Sequence, residues 1–172
     1  MNRPSKNEYA EYYETYVSLV TETDIVAAMQ SQLDEAEQLF AEISEEKSLF
    51  AYAEGKWTIK EVIGHLIDAE KIFSYRALRI SRADKTPIEG FEQNDYVENA
   101  NFNQIKLADL IEELELARKS TVLFFSNLTD EAWLRIGTSN DLPVSVRALA
   151  FMMVGHIRHH FNILRERYLN EV

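Results

Sequence analysis

The chain has 172 residues, a formal net charge of −11 at pH 7 and no cysteine. A chain of this length typically forms one domain with its own core, so we predict a single domain over residues 1–172. The acidic excess argues against nucleic acid and anionic membrane as partners, and the lack of cysteine excludes disulfides, thiolate-held metals and cysteine nucleophiles.

The N-terminal segment, residues 1–22, is rich in tyrosine and lacks the apolar stretch of a signal peptide. No stretch of the chain reaches about 18 consecutive apolar residues, so we expect no membrane contact and a cytoplasmic location. The large side chains of this arm have the spacing of a short amphipathic helix: Tyr9, Tyr12, Tyr13, Tyr16 and Val20. We expect the arm to pack on the domain, its tyrosines covering the domain or a dimer contact, with a substrate wall as the alternative.

Four stretches have the apolar period of long helices: 24–44, 58–82, 107–126 and about 146–169. Asp24 and Ser145 are candidate caps of the first and last helix, and Thr58 with Glu61 forms a capping box at the second. Few glycines and prolines interrupt the chain, which favours long helices over hairpins. The predicted fold is an all-α four-helix bundle.

Two connections stand out between these helices. Residues 83–106 break the helical period and form a long crossover connection after the second helix. It is long enough to run from one end of the bundle to the other or to cover an opening, which argues against a simple up-down-up-down order. Further along, Thr129 starts a short helical turn around Trp133, and 136–144 is predicted to be a loop.

Three of the four histidines are placed alike. His156 and His160 are four residues apart, on one face of the last helix, and that face is apolar. His65 lies on a similar apolar stripe of the second helix. We therefore expect three imidazoles to point inward from two helices. His159 is rotated away from the other two in its helix and belongs at the edge of the site or in solvent.

The residues alone leave two interpretations of these histidines open. They are either hydrogen-bonded within the core or ligands of a divalent metal. A di-iron site is disfavoured, because the chain contains no Glu-x-x-His. Three histidines that leave one position open are closer to the pattern of catalytic zinc, although nickel, cobalt or iron would also fit.

Several polar residues are candidates for roles around such a site. Asp68 is one turn from His65 and either orients its ring or has a solvated or interhelical role. Glu61 is also one turn from His65 and could orient the same ring, but we favour its capping role. Arg76 would bind a substrate carboxylate or form an ion pair at the bundle end, and we favour the ion pair.

Two further groups have a structural and a functional interpretation. Four residues of the long connection either line the mouth of the pocket or are ordinary polar loop residues, which we favour: Gln93, Asn94, Asp95 and Tyr96. Trp57 and Trp133 are expected to pack in the core or at its ends and not to serve as ligand platforms.

Two segments resemble the signatures of the DinB/YfiT-like superfamily, namely WTIKEVIGHLIDAEKIFSYRALRISR at 57–82 and SVRALAFMMVGHIRHHFNILRERY at 145–168. The stretches FEQNDYV at 91–97 and LTDEAW at 128–133 also match the layout of that family. The resemblance therefore covers nearly the whole chain, and the order and separation of the two histidine segments make it fairly specific.

This resemblance implies a four-helix bundle that runs up-down-down-up, often as a homodimer. It also implies one divalent metal ion per chain, zinc or nickel in different members, with ligand positions that fall on His65, His156 and His160. Characterised members of the family are thiol S-transferases that use bacillithiol or glutathione, and a mycothiol-dependent maleylpyruvate isomerase. Others are described as metal-dependent hydrolases.

We accordingly predict a metal-dependent enzyme acting on a small molecule, with transfer of a low-molecular-weight thiol to an electrophile as the leading hypothesis. Three neutral imidazoles leave room on the metal for a thiol, which would lose its proton there. Water in the same position would give a hydrolase. The third hypothesis is a non-enzymatic bundle, in which a structural metal would need a fourth protein ligand that the sequence does not obviously supply.

Overall fold

The computed structural model describes residues 2–169, so residue 1 of the predicted arm and residues 170–172 of the predicted domain lie outside the described residues. The regular elements follow in chain order: α1 (Glu14–Val17), α2 (Ile25–Ala41), α3 (Ile59–Ser81), α4 (Gln93–Ala100), α5 (Leu107–Ser126), α6 (Asp130–Leu134), β1 (Ile136–Ser139), β2 (Leu142–Ser145) and α7 (Val146–Ile163). Short 3-10 turns occupy Lys6–Glu8, Glu11–Tyr13, Lys47–Leu49 and Phe102–Gln104, and a π-helical turn over Leu164–Leu169 extends α7.

Local capping sets the starts of the helices, as predicted. The side chains of Asp24, Thr129 and Ser145 each accept a hydrogen bond from a backbone N–H of the first turn of α2, α6 and α7. Thr58 and Glu61 form the predicted capping box of α3. These side chains satisfy N–H groups that have no partner within the helix, which is why they fix where each helix begins.

The long helices α2, α3, α5 and α7 form a bundle. α3 packs against α5 and α7, and α2 packs against the same two helices, so α2 and α3 occupy opposite corners. The predicted four-helix arrangement is thereby confirmed, whereas the up-down-down-up order of chain directions stays a prediction. Within residues 2–169, no helix is long and apolar enough to cross a bilayer.

A buried polar cluster links all four long helices. Arg118 of α5 donates a hydrogen bond to Glu70 of α3 at 2.8 Å, and both side chains are only 2% exposed. Arg118 also donates to the amide oxygen of Gln32 in α2 at 3.3 Å. The amide nitrogen of Gln32 in turn donates to the carbonyl oxygen of Val154 in α7 at 2.9 Å. An ion pair therefore lies where apolar packing would be expected.

The all-α prediction is wrong at one point, since β1 and β2 form an antiparallel hairpin over the predicted loop 136–144 and Ser145. Asn140 and Asp141 join the strands with φ of 51° and 61°, the pair of positive values that a type I′ turn needs. The strands have four residues each, too few to show a clear alternation. Ser139 also pairs with Ile88, so the hairpin holds part of the long connection after α3.

That connection is more ordered than predicted. Residues 93–100 form α4, whose start is capped by the side chain of Glu92 accepting from the backbone N–H of Asn94. α4 then ends at Asn101, which adopts a left-handed conformation with φ of 54°. Residues 90–93, just before and at the start of this helix, line a cavity described below, so the connection does cover an opening.

The N-terminal arm packs on the bundle, as predicted, but with less regular helix. It consists of two 3-10 turns and the single turn α1. Tyr9, Val17 and Val20 are buried in the same core cluster as residues of α7. Glu8 fixes the arm to the start of α7, because its carboxylate accepts hydrogen bonds from Ser145 Oγ and Arg147 Nε, each at 2.7 Å.

We expect the Glu8–Arg147 pair to make the stability of the protein dependent on acid. Hydrogen bonds from Arg147 lower the pKa of Glu8 from 4.5 to about 2. The stabilisation is therefore complete above pH 4.5 and is lost as the pH falls toward about 2. After allowance for the partial exposure of Arg147, Glu8→Gln should lower the free energy of unfolding by about 2 kcal/mol at neutral pH. Urea unfolding checks this, and a gap between variant and wild type that does not narrow near pH 3 would contradict it.

Candidate metal site and adjoining cavity

The three predicted histidines meet in the interior. One ligand nitrogen from each of His65, His156 and His160 lies within 4.8 Å of the other two. The Nε2 atoms of His65 and His156 are 3.0 Å apart. His65 comes from α3, and the other two come from successive turns of α7, as the spacing predicted. His65 and His156 are buried, while His160 as a whole residue keeps partial exposure.

Burial keeps all three rings neutral. Loss of solvation lowers the pKa of His65 to about 4 and that of His156 well below its ordinary value. Burial, with added repulsion from His65 and His159, lowers the pKa of His160 to about 3. Neutral imidazole is the form that binds metal. No carboxylate oxygen joins the three nitrogens among the described residues, so the donor set is three neutral nitrogens.

A glycine precedes His65 and another precedes His156, and both allow a close approach to the site. A Cβ on Gly64 would lie 2.4 Å from the ring of Phe102. A Cβ on Gly155 would lie 2.0 Å from the backbone carbonyl oxygen of Tyr16. Gly155 therefore lets the arm pack directly on α7, which brings the ring of Tyr16 within 5.1 Å of the His156 ring, centroid to centroid.

A cavity of about 400 Å³ adjoins the histidines. His65 and His156 are in its wall, so a metal held by the three nitrogens would have one side toward this space. The N-terminal arm supplies an aromatic side of the wall: Tyr12, Tyr13 and Tyr16. These three tyrosines therefore face the cavity, and the alternative of a substrate wall stays a prediction for them, whereas Tyr9 packs in the core.

The opposite end of the cavity contains Arg76. α3 contributes His65, Ala69, Phe73 and Arg76 to the wall, at intervals that place them on one face of the helix. The Arg76 side chain is buried, and its Nη2 donates to the carbonyl oxygen of Glu89 at 3.1 Å. Among the described residues it has no ion pair, so the ion pair that we favoured for Arg76 at the bundle end is not what the structure shows.

The other candidates near the histidines are placed differently. Asp68 lies near Lys71 and Glu113 where α3 meets α5, and burial raises its pKa. Among the described residues no hydrogen bond joins Asp68 to His65, so a role of Asp68 in orienting that ring stays a prediction. Glu61 serves the capping box of α3.

Two aromatic side chains flank the cluster from outside it. The ring of Trp57 lies 4.9 Å from that of His65, so this tryptophan packs on the site itself. His159 lies at the edge, as predicted, with its ring 5.1 Å from that of His160. Trp133 stacks on Phe125 in the core and has no part in the site.

Of the four polar residues considered in the long connection, only the first lies at the cavity. Gln93 lines the cavity, whereas Asn94, Asp95 and Tyr96 are exposed and do not. The wall also includes Phe91 and Glu92, from the same segment, and Asn140 from the tip of the hairpin, none of which the sequence analysis singled out. The two Gly-His pairs were the only local signal of such close packing around the histidines.

The fold and the site together define a class of protein: a helical bundle whose inward histidines can hold a metal beside a cavity. The sequence pattern of the DinB superfamily matches residues 28–164. The chain belongs to the DinB superfamily, which confirms the resemblance seen in the two histidine segments.

Two relatives agree with this assignment. A protein of Geobacillus thermodenitrificans (strain NG80-2), named "Putative metal-dependent hydrolase", is 23% identical over 139 residues, which cover 78% of this chain and 77% of that one. The structure of YfiT from Bacillus subtilis, described as "a probable metal-dependent hydrolase with an unusual four-helix bundle topology", matches with a TM-score of 0.73. The match covers 96% of this chain and 90% of that one at 15% identity, so it establishes a shared fold.

Proposed function

We propose that this chain is a metal-dependent enzyme in which His65, His156 and His160 hold one divalent ion, zinc or nickel, beside a cavity for a small substrate. The observation that carries the proposal is that three neutral imidazole nitrogens converge within 4.8 Å of one another, and that two of the three rings, His65 and His156, lie in the wall of that cavity. The donor set suits a borderline metal, because imidazole is a good ligand for zinc and nickel. When bound, the ion would lower the pKa of a thiol or a water in its open position.

We place transfer of a low-molecular-weight thiol first. The three histidines have no carboxylate beside them in the described part of the chain, and a thiol needs no such base because coordination alone removes its proton. The sulfur would then bond to an electrophilic carbon of the second substrate, and the leaving group would depart with the electron pair. The cavity of about 400 Å³ would position both reactants.

Hydrolysis is the second candidate. It is favoured by the names of the two relatives, each of which is called a metal-dependent hydrolase. A hydrolase of this kind commonly uses a carboxylate to take a proton from water. Glu92, which lines the cavity, is the carboxylate of this chain that would serve.

The test begins with untagged protein purified without chelator, whose metal content is measured by elemental mass spectrometry. We expect about one equivalent per chain. The protein is then incubated with an activated aryl halide plus bacillithiol or glutathione, and separately with aryl esters and amides. Metal-dependent consumption of thiol supports transfer, and turnover without thiol supports hydrolysis. Protein that binds metal but shows no turnover in either assay would support a non-enzymatic bundle. Protein that binds neither zinc nor nickel when these are added would overturn the metal site.

The homodimer and the up-down-down-up order remain part of this proposal. Large apolar side chains exposed along α3 and α5 support the proposed dimer: Tyr75, Leu78, Leu116 and Leu123. A sedimentation velocity measurement would determine whether two chains associate.

A further inference from the structure

Arg76 is a buried cation without an anionic partner. Its residue is 3% exposed, and no carboxylate oxygen among the described residues lies within 4.0 Å of its nitrogens. Its Nε is buried and has no hydrogen-bond partner within the described chain. Burying an unpaired charge is costly, and proteins usually pair such a group with an acid. Elsewhere in this core the rule is followed, since Arg118 is paired with Glu70.

The surroundings of Arg76 are those of a ligand site. Its guanidinium carbon lies 5.8 Å from the ring centroid of Phe73 and 5.7 Å from that of Phe91, so it is held between two aromatic side chains. Tyr13, whose pKa is raised mainly by burial, contributes a hydroxyl on the arm side. All four residues line the cavity that also contains His65 and His156.

We propose that Arg76 binds a carboxylate group of the ligand and thereby fixes the ligand's other end at the three histidines. This inference extends the proposed function. It rests on that function only for the metal at the three histidines, and the carboxylate site at Arg76 does not depend on it. A planar guanidinium binds carboxylate through two parallel hydrogen bonds, and a ligand carboxylate would supply the anion that this buried cation lacks. The aromatic walls would enclose an apolar body between the two ends.

The helix sets the length of that ligand. Arg76 follows His65 by three turns of α3, so their Cα atoms are about 16 Å apart. Side chains of a helix lean toward its N-terminus, which brings the guanidinium of Arg76 back toward His65. Ala69 lies between them and leaves the space free. A small organic acid with an aryl group and a short alkyl chain fits this distance better than a bare anion such as acetate.

The experiment is calorimetric titration of the metal-loaded protein with an arylalkanoate series, from phenylacetate to phenylbutyrate, and with the matching neutral amides. We expect at least one acid to bind with a dissociation constant below about 10 mM. Its amide should bind at least about tenfold more weakly. Arg76→Gln should remove this difference while the metal content stays unchanged. Arg76→Lys should keep part of the preference for acid over amide, because lysine retains the charge but lacks the planar pair of N–H donors of a guanidinium. Arg82→Gln, at the exposed residue that directly follows α3, is the matched control and should bind as wild type.

The outcomes separate this inference from the proposed function. Acid and amide that bind equally, or no saturable binding by any member of the series, would overturn the role of Arg76. Acid binding that survives Arg76→Gln but is lost with the metal would also overturn it, since the carboxylate would then be bound at the histidines. Acid binding that depends on Arg76 in protein that cannot hold metal would support the carboxylate site and reject the metal site. Titration with glutathione next to the arylalkanoates would show whether the thiol or the second substrate carries the carboxylate.

Discussion

Alanine at His156 should weaken the binding of zinc or nickel by more than about a hundredfold, and alanine at His65 or His160 should have the same effect. Binding of zinc by a full set of four protein ligands releases roughly 10–16 kcal/mol, so one imidazole contributes about 3 kcal/mol. The loss should be similar for all three, because their nitrogens lie within 4.8 Å of one another as one donor set. Competition against a chromophoric chelator measures the affinity of each variant.

His159→Ala is the matched control for this series. It removes an imidazole from the same helix, with a ring 5.1 Å from that of His160, but its nitrogens are outside the cluster of three. Its affinity for metal should stay within a few-fold of wild type. Circular dichroism of every variant checks that the bundle is intact. Equal affinities in all four variants would mean that the metal, if bound, is held elsewhere.

The second large effect concerns stability and the buried ion pair. Glu70→Leu alone should lower the free energy of unfolding by about 3–5 kcal/mol, because it leaves Arg118 as an uncompensated charge in the core. Arg118→Met alone should cost a similar amount. The double variant should recover most of the loss and could exceed wild type, since apolar side chains of similar volume pack well in place of such a pair. Urea unfolding of the four proteins gives the coupling energy directly.

An exposed pair in the same two helices is the comparison. Lys71 and Glu113 also join α3 to α5, but their side chains are 54% and 47% exposed. Lys71→Ala should therefore change stability by less than about 1 kcal/mol. If Glu70→Leu lowered the free energy of unfolding as little as Lys71→Ala, water or a structural rearrangement would have to compensate the charge of Arg118. The description of Glu70 and Arg118 as a pair closed off from solvent would then be wrong.

The parts of the fold that local chemistry determines were predictable from the sequence. The starts of α2, α3, α6 and α7 follow from capping side chains that lie within three residues of the N–H groups they satisfy. The hairpin was missed because its turn uses Asn140 and Asp141, without the glycine that usually marks a type I′ turn. α4 was missed because it is short and mostly polar, so only tertiary contact makes it a helix.

The candidate site was likewise predictable only in part. The three histidines were predictable because helical spacing places them on inward faces. The cavity was not, because its walls come from segments brought together only by tertiary packing, such as Tyr16 against Gly155. The buried ion pair does have a signal in the sequence: Gln32, Glu70 and Arg118 occupy positions that continue the apolar spacing of their helices. Polar residues at core spacing point to partners in the interior.

The packing of the arm on α7 has a consequence for how such proteins diversify. The pattern shared with the superfamily covers residues 28–164 and includes the three histidines, whereas the tyrosines that face the cavity come before it. The aromatic side of the cavity wall thus lies outside the pattern that contains the three histidines, whereas Phe73, Arg76 and Phe91 lie inside it. If the cavity binds a substrate as proposed, a change in this short leading stretch of chain would alter one wall of the cavity without replacing any of the three histidines. Exchange of residues 1–22 between members of the superfamily would then move ligand preference and leave metal binding in place.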